Sequence, residues 1–241
     1  MTPSVNITSD AGNGIGYTGM SIRGSDGSRI NVTINGVPLN DSESHATYWV
    51  DLPDFASSIS SIQIQRGVGT STNGAGAFGG SINVSTQKQS QASKFKLSNS
   101  FGSYGTLKNS ISFTTGRVGN HFELNGNLSK IYSDGYIDRA SSNLKGYFLQ
   151  GSYYKERTNI KFIAFGGHER TYQAWYGLDQ ETLSNNRKFN YAGMYFNDDG
   201  DQFFYDKQED NYKQDHYQLI FNHNINPLWR ANLTFHYTHG R

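Results

Sequence analysis

The 241-residue chain has no cysteine, only four prolines and almost no net charge, with 21 Lys and Arg against 20 Asp and Glu. Without cysteine there is no disulfide scaffold and no thiolate metal site. A formal charge of +1 and no basic stripe remove nucleic acid as a partner. No apolar run approaches the roughly eighteen residues that a membrane-crossing helix needs, and the mean hydropathy is −0.66. A transmembrane β-barrel survives this test, because its strands alternate lipid-facing and lumen-facing residues and read as polar on average. The opening Met1-Thr2-Pro3-Ser4 carries neither the basic region nor the apolar core of a secretory signal. For an exported protein the expectation is a start further upstream, with Met1 a truncation point.

What is present divides the chain in two. Of 34 Phe, Tyr and Trp, only Tyr17, Tyr48, Trp49, Phe55 and Phe78 precede Lys94, and three of the four prolines also fall in that first part. The first region reads as short strands and loops: Ile30, Val32 and Ile34 alternate with Asn31 and Thr33 as one strand with an apolar face. Pro53 in Asp51-Leu52-Pro53-Asp54-Phe55 suits a first helical turn, predicting a helix of two to three turns before a strand at Ile62. A polar stretch at 87–93 suits a linker. The expected division is therefore 1–90 and 94–241.

The second region reads as a meander of seven strands. Phe95, Leu97 and Phe101 share a face of the first; Leu107, Ile111 and Phe113 follow, then Phe122, Leu124, Leu128 and Tyr132. Tyr147, Leu149 and Tyr153, then Ile160, Phe162 and Ala164, then Tyr217, Leu219 and Phe221, and finally Ala231, Leu233, Phe235 and Tyr237 complete the set. After a tight hairpin at 103–105, short turns at 117–120, 156–159 and 226–228 alternate with longer loops at 133–144 and 176–211. Short turns on one side and long loops on the other fit an outer-membrane barrel, exterior on the long-loop side. Tyr132, Tyr136, Trp175, Tyr176 and Trp229 near strand ends suit interfacial aromatic girdles. A soluble β-sandwich alternates in the same way; strand length and the alternation of loop lengths favour the barrel.

The densest signal is residues 62–86, IQIQRGVGTSTNGAGAFGGSINVST, in which two short strands flank six glycines and no charge after Arg66. Such a segment cannot form a helix and lacks the apolar groups for a core of its own, so it is a turn-rich loop held inside something larger. Upstream stand Ser21-Ile22-Arg23-Gly24 and Ile34-Asn35-Gly36-Val37-Pro38-Leu39. In this order and spacing the three motifs resemble the plug domain of TonB-dependent outer-membrane receptors. The Phe101-Gly-Ser-Tyr104-Gly-Thr hairpin resembles the first barrel hairpin of the same family. Gln63 and Gln65 stand where the family has an acidic residue, Val68 where it has proline after Arg-Gly, and Asn35 where it commonly has Asp.

The resemblance implies an all-β chain: most of a plug, then the first seven or so antiparallel strands of a 22-stranded transmembrane barrel in the cell outer membrane. Barrels of that width carry a plugged lumen, so passage requires capture of a scarce ligand followed by plug movement. The resemblance assigns the work to a TonB-type inner-membrane protein. It places ligand contacts on two outward plug apices, 12–18 with Asn13 and Tyr17, and 39–50 with Asp41, Glu43, His45, Tyr48 and Trp49. It assigns Arg23 and Arg66 to a latch between the plug and acidic groups of the barrel wall, the alternative being solvated arginines. Aromatic faces with mixed polar groups suit a ferric chelate, cobalamin or oligosaccharide; for Trp49 the alternative is packing against the wall. A passive porin or adhesin would need no plug.

Catalytic readings find no support. Gly14-Ile-Gly16-Tyr-Thr-Gly19 and Gly74-Ala-Gly76-Ala-Phe-Gly79 match a dinucleotide fingerprint but run into strands, not helices. Asn197-Asp198-Asp199-Gly200-Asp201 lacks the flanking helices and spacing of a calcium loop and reads as a hairpin tip. His236 and His239 fall on opposite faces of a strand, and no Ser, His and carboxylate are spaced as a triad. No cofactor, metal or enzymatic activity is implied.

Overall fold

The computed structural model describes residues 4–68, 77–86 and 90–241. The centre of the glycine-rich segment, part of its second dinucleotide-like match and the start of the expected linker lie outside the described residues.

The N-terminal part is built from short strands: β1 (Val5–Ser9) and β2 (Thr18–Ile22) form one antiparallel pair. β3 (Ile30–Ile34), β4 (Val37–Pro38), β5 (Ile59–Arg66) and β6 (Gly80–Thr86) form a four-stranded sheet in the order β4-β3-β6-β5, with β3 and β6 parallel. Asn35 and Gly36 both have positive φ, the requirement of the tight turn that joins β3 to β4. The glycine-rich segment is closed at its stem, where Gly67 N–H donates to the Gly79 carbonyl at 2.9 Å.

The expected helix at 51–59 is replaced by two 3₁₀ turns, Trp49–Asp51 and Phe55–Ser58. Asp54 between them adopts a left-handed conformation (φ 57°), which a right-handed helix cannot contain. The next strand accordingly begins at Ile59 rather than Ile62.

The second part is a single antiparallel sheet of seven strands: β7 (Lys94–Gly102), β8 (Thr106–Thr114), β9 (Phe122–Ser133), β10 (Ser142–Lys155) and β11 (Thr158–Tyr172), followed beyond a long connection by two more. That connection contains α1 (Gln180–Asn185) and a hairpin of β12 (Met194–Phe196) and β13 (Gln202–Phe204), whose tip is the acidic 197–201 segment. The sheet then resumes with β14 (Glu209–Asn224) and β15 (Arg230–Gly240), every strand pairing with its sequence neighbour in the sheet. Connections alternate in length as the sequence predicts.

Cross-strand register sorts the outer face into rows. Ile111, Leu128 and Tyr147 form one, Phe113, Gly126, Leu149, Ala164 and Tyr217 the next, and Leu124, Gly151, Phe162 and Leu219 a third. Large apolar groups such as Phe95, Leu97, Leu128 and Phe235 remain exposed there, as a lipid-facing band requires. The inner face carries the plug. Phe148, Ile163, Phe165 and Ile220 of the wall share one buried core with Ile22, Val32, Ile34, Leu52, Phe55 and Ile82 of the plug. Phe55 sits between Phe148 (ring centroids 6.1 Å, edge-on) and Phe165 (5.0 Å).

Candidate functional site

The plug meets the wall at three levels. Lowest, on the short-turn side, the Asn35-Gly36 turn reaches the wall. Asn35 Nδ2 donates to Gln218 Oε1 at 3.1 Å, and Gln218 Nε2 donates to the Ile34 carbonyl at 3.2 Å. Thr86 beside it donates to Gln150 Oε1 at 2.9 Å. The side chain that departs from the usual aspartate is thus a two-way amide, able to accept from Thr86 N–H while donating to the wall.

In the middle, the 51–53 backbone is pressed into the wall. Gly146 and Gly167 are paired in register on β10 and β11. A Cβ on the first would collide with the Pro53 carbonyl, and on the second with the Asp51 carbonyl. Next to them Lys108 of β8 forms an ion pair with Asp54, whose side chain is almost wholly buried, and Ser57 Oγ donates to the same carboxylate oxygen at 2.6 Å.

At the top, on the long-loop side, the first apex docks onto strand ends. Asn13 Nδ2 donates to Ser133 Oγ at 2.7 Å, and the Ala11 carbonyl accepts from Tyr136 N–H at 2.7 Å. The Tyr17 hydroxyl lies 2.7 Å from Asp210 Oδ2 and 3.0 Å from Glu169 Oε1, one proton facing two acceptors. Burial, followed by the hydrogen bond to Asp210, pushes the Tyr17 hydroxyl's pKa up. Asp51 faces the same two carboxylates. Burial first, then Glu169 and Asp210, raises its pKa to about 7.

Tyr17, Tyr48 and Trp49 line one cleft of about 560 Å³ between the β1–β2 pair and the second apex, floored by Ile30, Val32 and Ile82. A smaller cavity of about 250 Å³ adjoins it on the wall side, with Tyr17, Asp10, Ser142, Asp210 and Trp175 around it. Tyr48 is exposed, whereas Trp49 is half-buried against the common core. Asp41, Glu43 and His45 are exposed on the loop beyond and are not brought into the cleft. The Asp41 carboxylate closes its own turn, accepting from Ser44 N–H at 2.7 Å and Ser44 Oγ at 2.9 Å, and these bonds lower its pKa. Arg23 and Arg66 are both exposed, and the Arg23 guanidinium lies against Gly67, so the two Arg-Gly motifs are neighbours.

Several residues at this site escaped sequence reading. Glu169 and Asp210 are single carboxylates on long strands, 152 and 193 positions from Tyr17, and nothing local marks them. Trp175 and Tyr176 stack on each other at 4.1 Å in the connection above β11, and Trp175 lines the smaller cavity beside the plug. Tyr136 packs edge-on against Tyr104 and over Gly12 of the plug. The long connection is itself organised, with the Arg139 guanidinium 3.5 Å above the Phe204 ring and Tyr172 Oη donating to the Tyr205 carbonyl at 2.6 Å.

A sequence profile of the TonB-dependent receptor plug domain matches residues 1–81. Among curated proteins, no sequence is significantly similar to this chain. Solved structures share the fold across the entire chain. The ferric yersiniabactin uptake receptor FyuA from Yersinia pestis superposes with a TM-score of 0.72 at 15% identity, over 100% of this chain and 37% of its own. The ferric citrate transporter FecA gives 0.70 at 16% identity, over 99% and 36%. The copper transporter OprC gives 0.69 at 17%, over 98% and 33%. The chain thus spans about a third of the length of these structures.

Proposed function

We propose that the chain is part of a TonB-dependent outer-membrane receptor, its plug domain first and strands of the barrel wall after it, and that the whole protein captures a scarce ligand and imports it by energised movement of the plug. One observation supports this most: Tyr17, Tyr48 and Trp49 come together from both plug apices around a single cleft on the long-loop side. The wall contributes Asp210, Ser142 and Trp175 to the adjoining smaller cavity, which shares Tyr17 with the cleft. Aromatic faces supply buried area at low entropic cost, and a few polar groups fix orientation, the usual composition of a small-ligand site. A ferric chelate is the ligand class this favours. FyuA is a ferric yersiniabactin uptake receptor and FecA a ferric citrate transporter.

The plug–wall contacts fit a plug that must move as a unit. An apolar centre around Phe55 holds it, while amide bonds at Asn35 and one ion pair at Asp54 supply directional contacts that a pulling force breaks one at a time. Arg23 and Arg66 belong to the same latch in this reading, engaging acidic groups of the barrel. The partner is a TonB-type protein of the inner membrane. Equilibrium binding of the purified whole receptor to ferric chelates, cobalamin and oligosaccharides tests the ligand class. Saturable binding of a ferric chelate supports the reading, and binding confined to another class replaces it.

A further inference from the structure

The outward row next to Ile111, Leu128 and Tyr147, one step toward the long-loop ends of the strands, is cationic from β9 to β14. Register places Lys130 of β9 directly opposite Lys145 of β10, Lys145 opposite His168 of β11, and His168 opposite Lys213 of β14. Like charges directly opposite on a sheet are destabilising, with Cβ atoms only about 5 Å apart, so this arrangement has a cost that a bound anion would relieve. Two members of the row have partners: Lys213 Nζ lies 2.9 Å from Asp215 Oδ2, and His168 Nε2 lies 2.7 Å from Asn211 Oδ1. Lys130 and Lys145 are both exposed and, among the described residues, form no ion pair.

A second, independent observation lies beneath them. The outer wall has a groove of about 550 Å³ whose upper lip is Lys130 and Lys145 and whose floor is Leu97, Ile111, Leu128 and Tyr147. Cations above and branched or aromatic apolar groups below match one kind of molecule, an anionic headgroup on acyl chains. Tyr147 donates to Asp215 Oδ1 at 2.8 Å, which fixes its ring along the groove.

We propose that this groove binds a phosphate-bearing lipid of the outward-facing leaflet, with Lys130 and Lys145 sharing the phosphate and the acyl chains lying over Ile111 and Leu128. Charge complementarity argues for the lipid, and the apolar floor argues against a free anion. The site lies wholly within β7–β14, faces away from the plug, and is independent of which ligand is imported.

Native mass spectrometry of the whole receptor in non-ionic detergent, titrated with dioleoyl phosphatidic acid or dioleoyl phosphatidylcholine, tests it. Each lysine beside an anionic lipid is worth about a fivefold change in affinity, so Lys130→Gln with Lys145→Gln should weaken phosphatidic acid binding roughly thirtyfold. Lys155→Gln, at the other end of β10, should leave binding unchanged. Equal retention of the two lipids by the unaltered receptor, or undiminished phosphatidic acid binding by the double variant, overturns the proposal. Displacement by inorganic phosphate at equal concentration also overturns it, because the site would then be an anion site without a lipid. If the double variant does not fold, the unaltered receptor decides alone. Its phosphatidic acid must be lost as ionic strength rises while phosphatidylcholine is not, and salt-independent retention is the contrary result.

Discussion

Lys108 in the barrel wall and Asp54 in the plug form an ion pair in which the carboxylate is almost wholly buried and the ammonium about one-third exposed. Removing the lysine alone leaves a buried charge without its counter-ion, at a cost of about 1–3 kcal/mol. Lys108→Met should therefore lower protection of the 55–58 amides in hydrogen exchange on the whole receptor. Adding Asp54→Asn should restore much of it, since Asn also tolerates the left-handed backbone there. Equal protection in all three proteins would show that the pair holds nothing.

Gly146 and Gly167 make room for the 51–53 backbone. Gly167→Ala or Gly146→Ala should push the plug off its seat and destabilise it by roughly 1–3 kcal/mol, the usual cost of overpacking. Gly151→Ala is the control, since a Cβ there meets nothing within 4 Å. Thermal unfolding of the three variants checks the contrast.

Asp51 keeps its proton to about pH 7 in the folded plug, against an ordinary carboxylate value near 3.8. The folded state thus binds more protons than the unfolded one between these values, so the stability of the seat falls as pH rises from about 4 to 7. Asp51→Asn should flatten that slope while Asp41→Asn should not. Denaturant midpoints measured across the interval decide it.

The two apex aromatics should separate. Trp49 is packed against the core and Tyr48 is exposed to the cleft. Trp49→Ala should cost about 1–2 kcal/mol of stability, less than the truncation of a fully buried aromatic, because the ring is only half-buried. Tyr48→Ala should spare stability and weaken ligand capture about tenfold or more, the loss expected for an aromatic anchor. Paired binding and unfolding measurements would show both effects in one residue if the separation is wrong.

Much of this was legible in the sequence. Phe95, Leu97 and Phe101 alternate cleanly because one face of their strand is apolar and the other polar. Legibility failed where both faces of the wall are apolar. Phe148 interrupts Tyr147 and Leu149, and Ile163 and Phe165 interrupt Phe162 and Ala164, so alternation vanishes where the plug's core continues into the wall. The helix expected at Pro53 was lost to the left-handed backbone at Asp54, a conformation Asp tolerates but does not require. The carboxylates around Tyr17 are joined only by tertiary register. The departures at Asn35 and Gln63 gave no hint that a wall lysine would supply a plug–wall ion pair.

The latch assigned to Arg66 acts only when the plug is pulled. Arg66→Ala should leave equilibrium binding unchanged and alter the uptake rate. Unchanged uptake would show that the arginine is no part of a latch.

Accumulation of a radiolabelled ferric chelate by cells carrying the whole receptor, with and without the TonB-type partner, tests the central claim most directly. Surface binding should persist in both strains, while accumulation above the bound level should require the partner. Accumulation that proceeds equally without it would contradict energised plug movement and make the protein a passive channel.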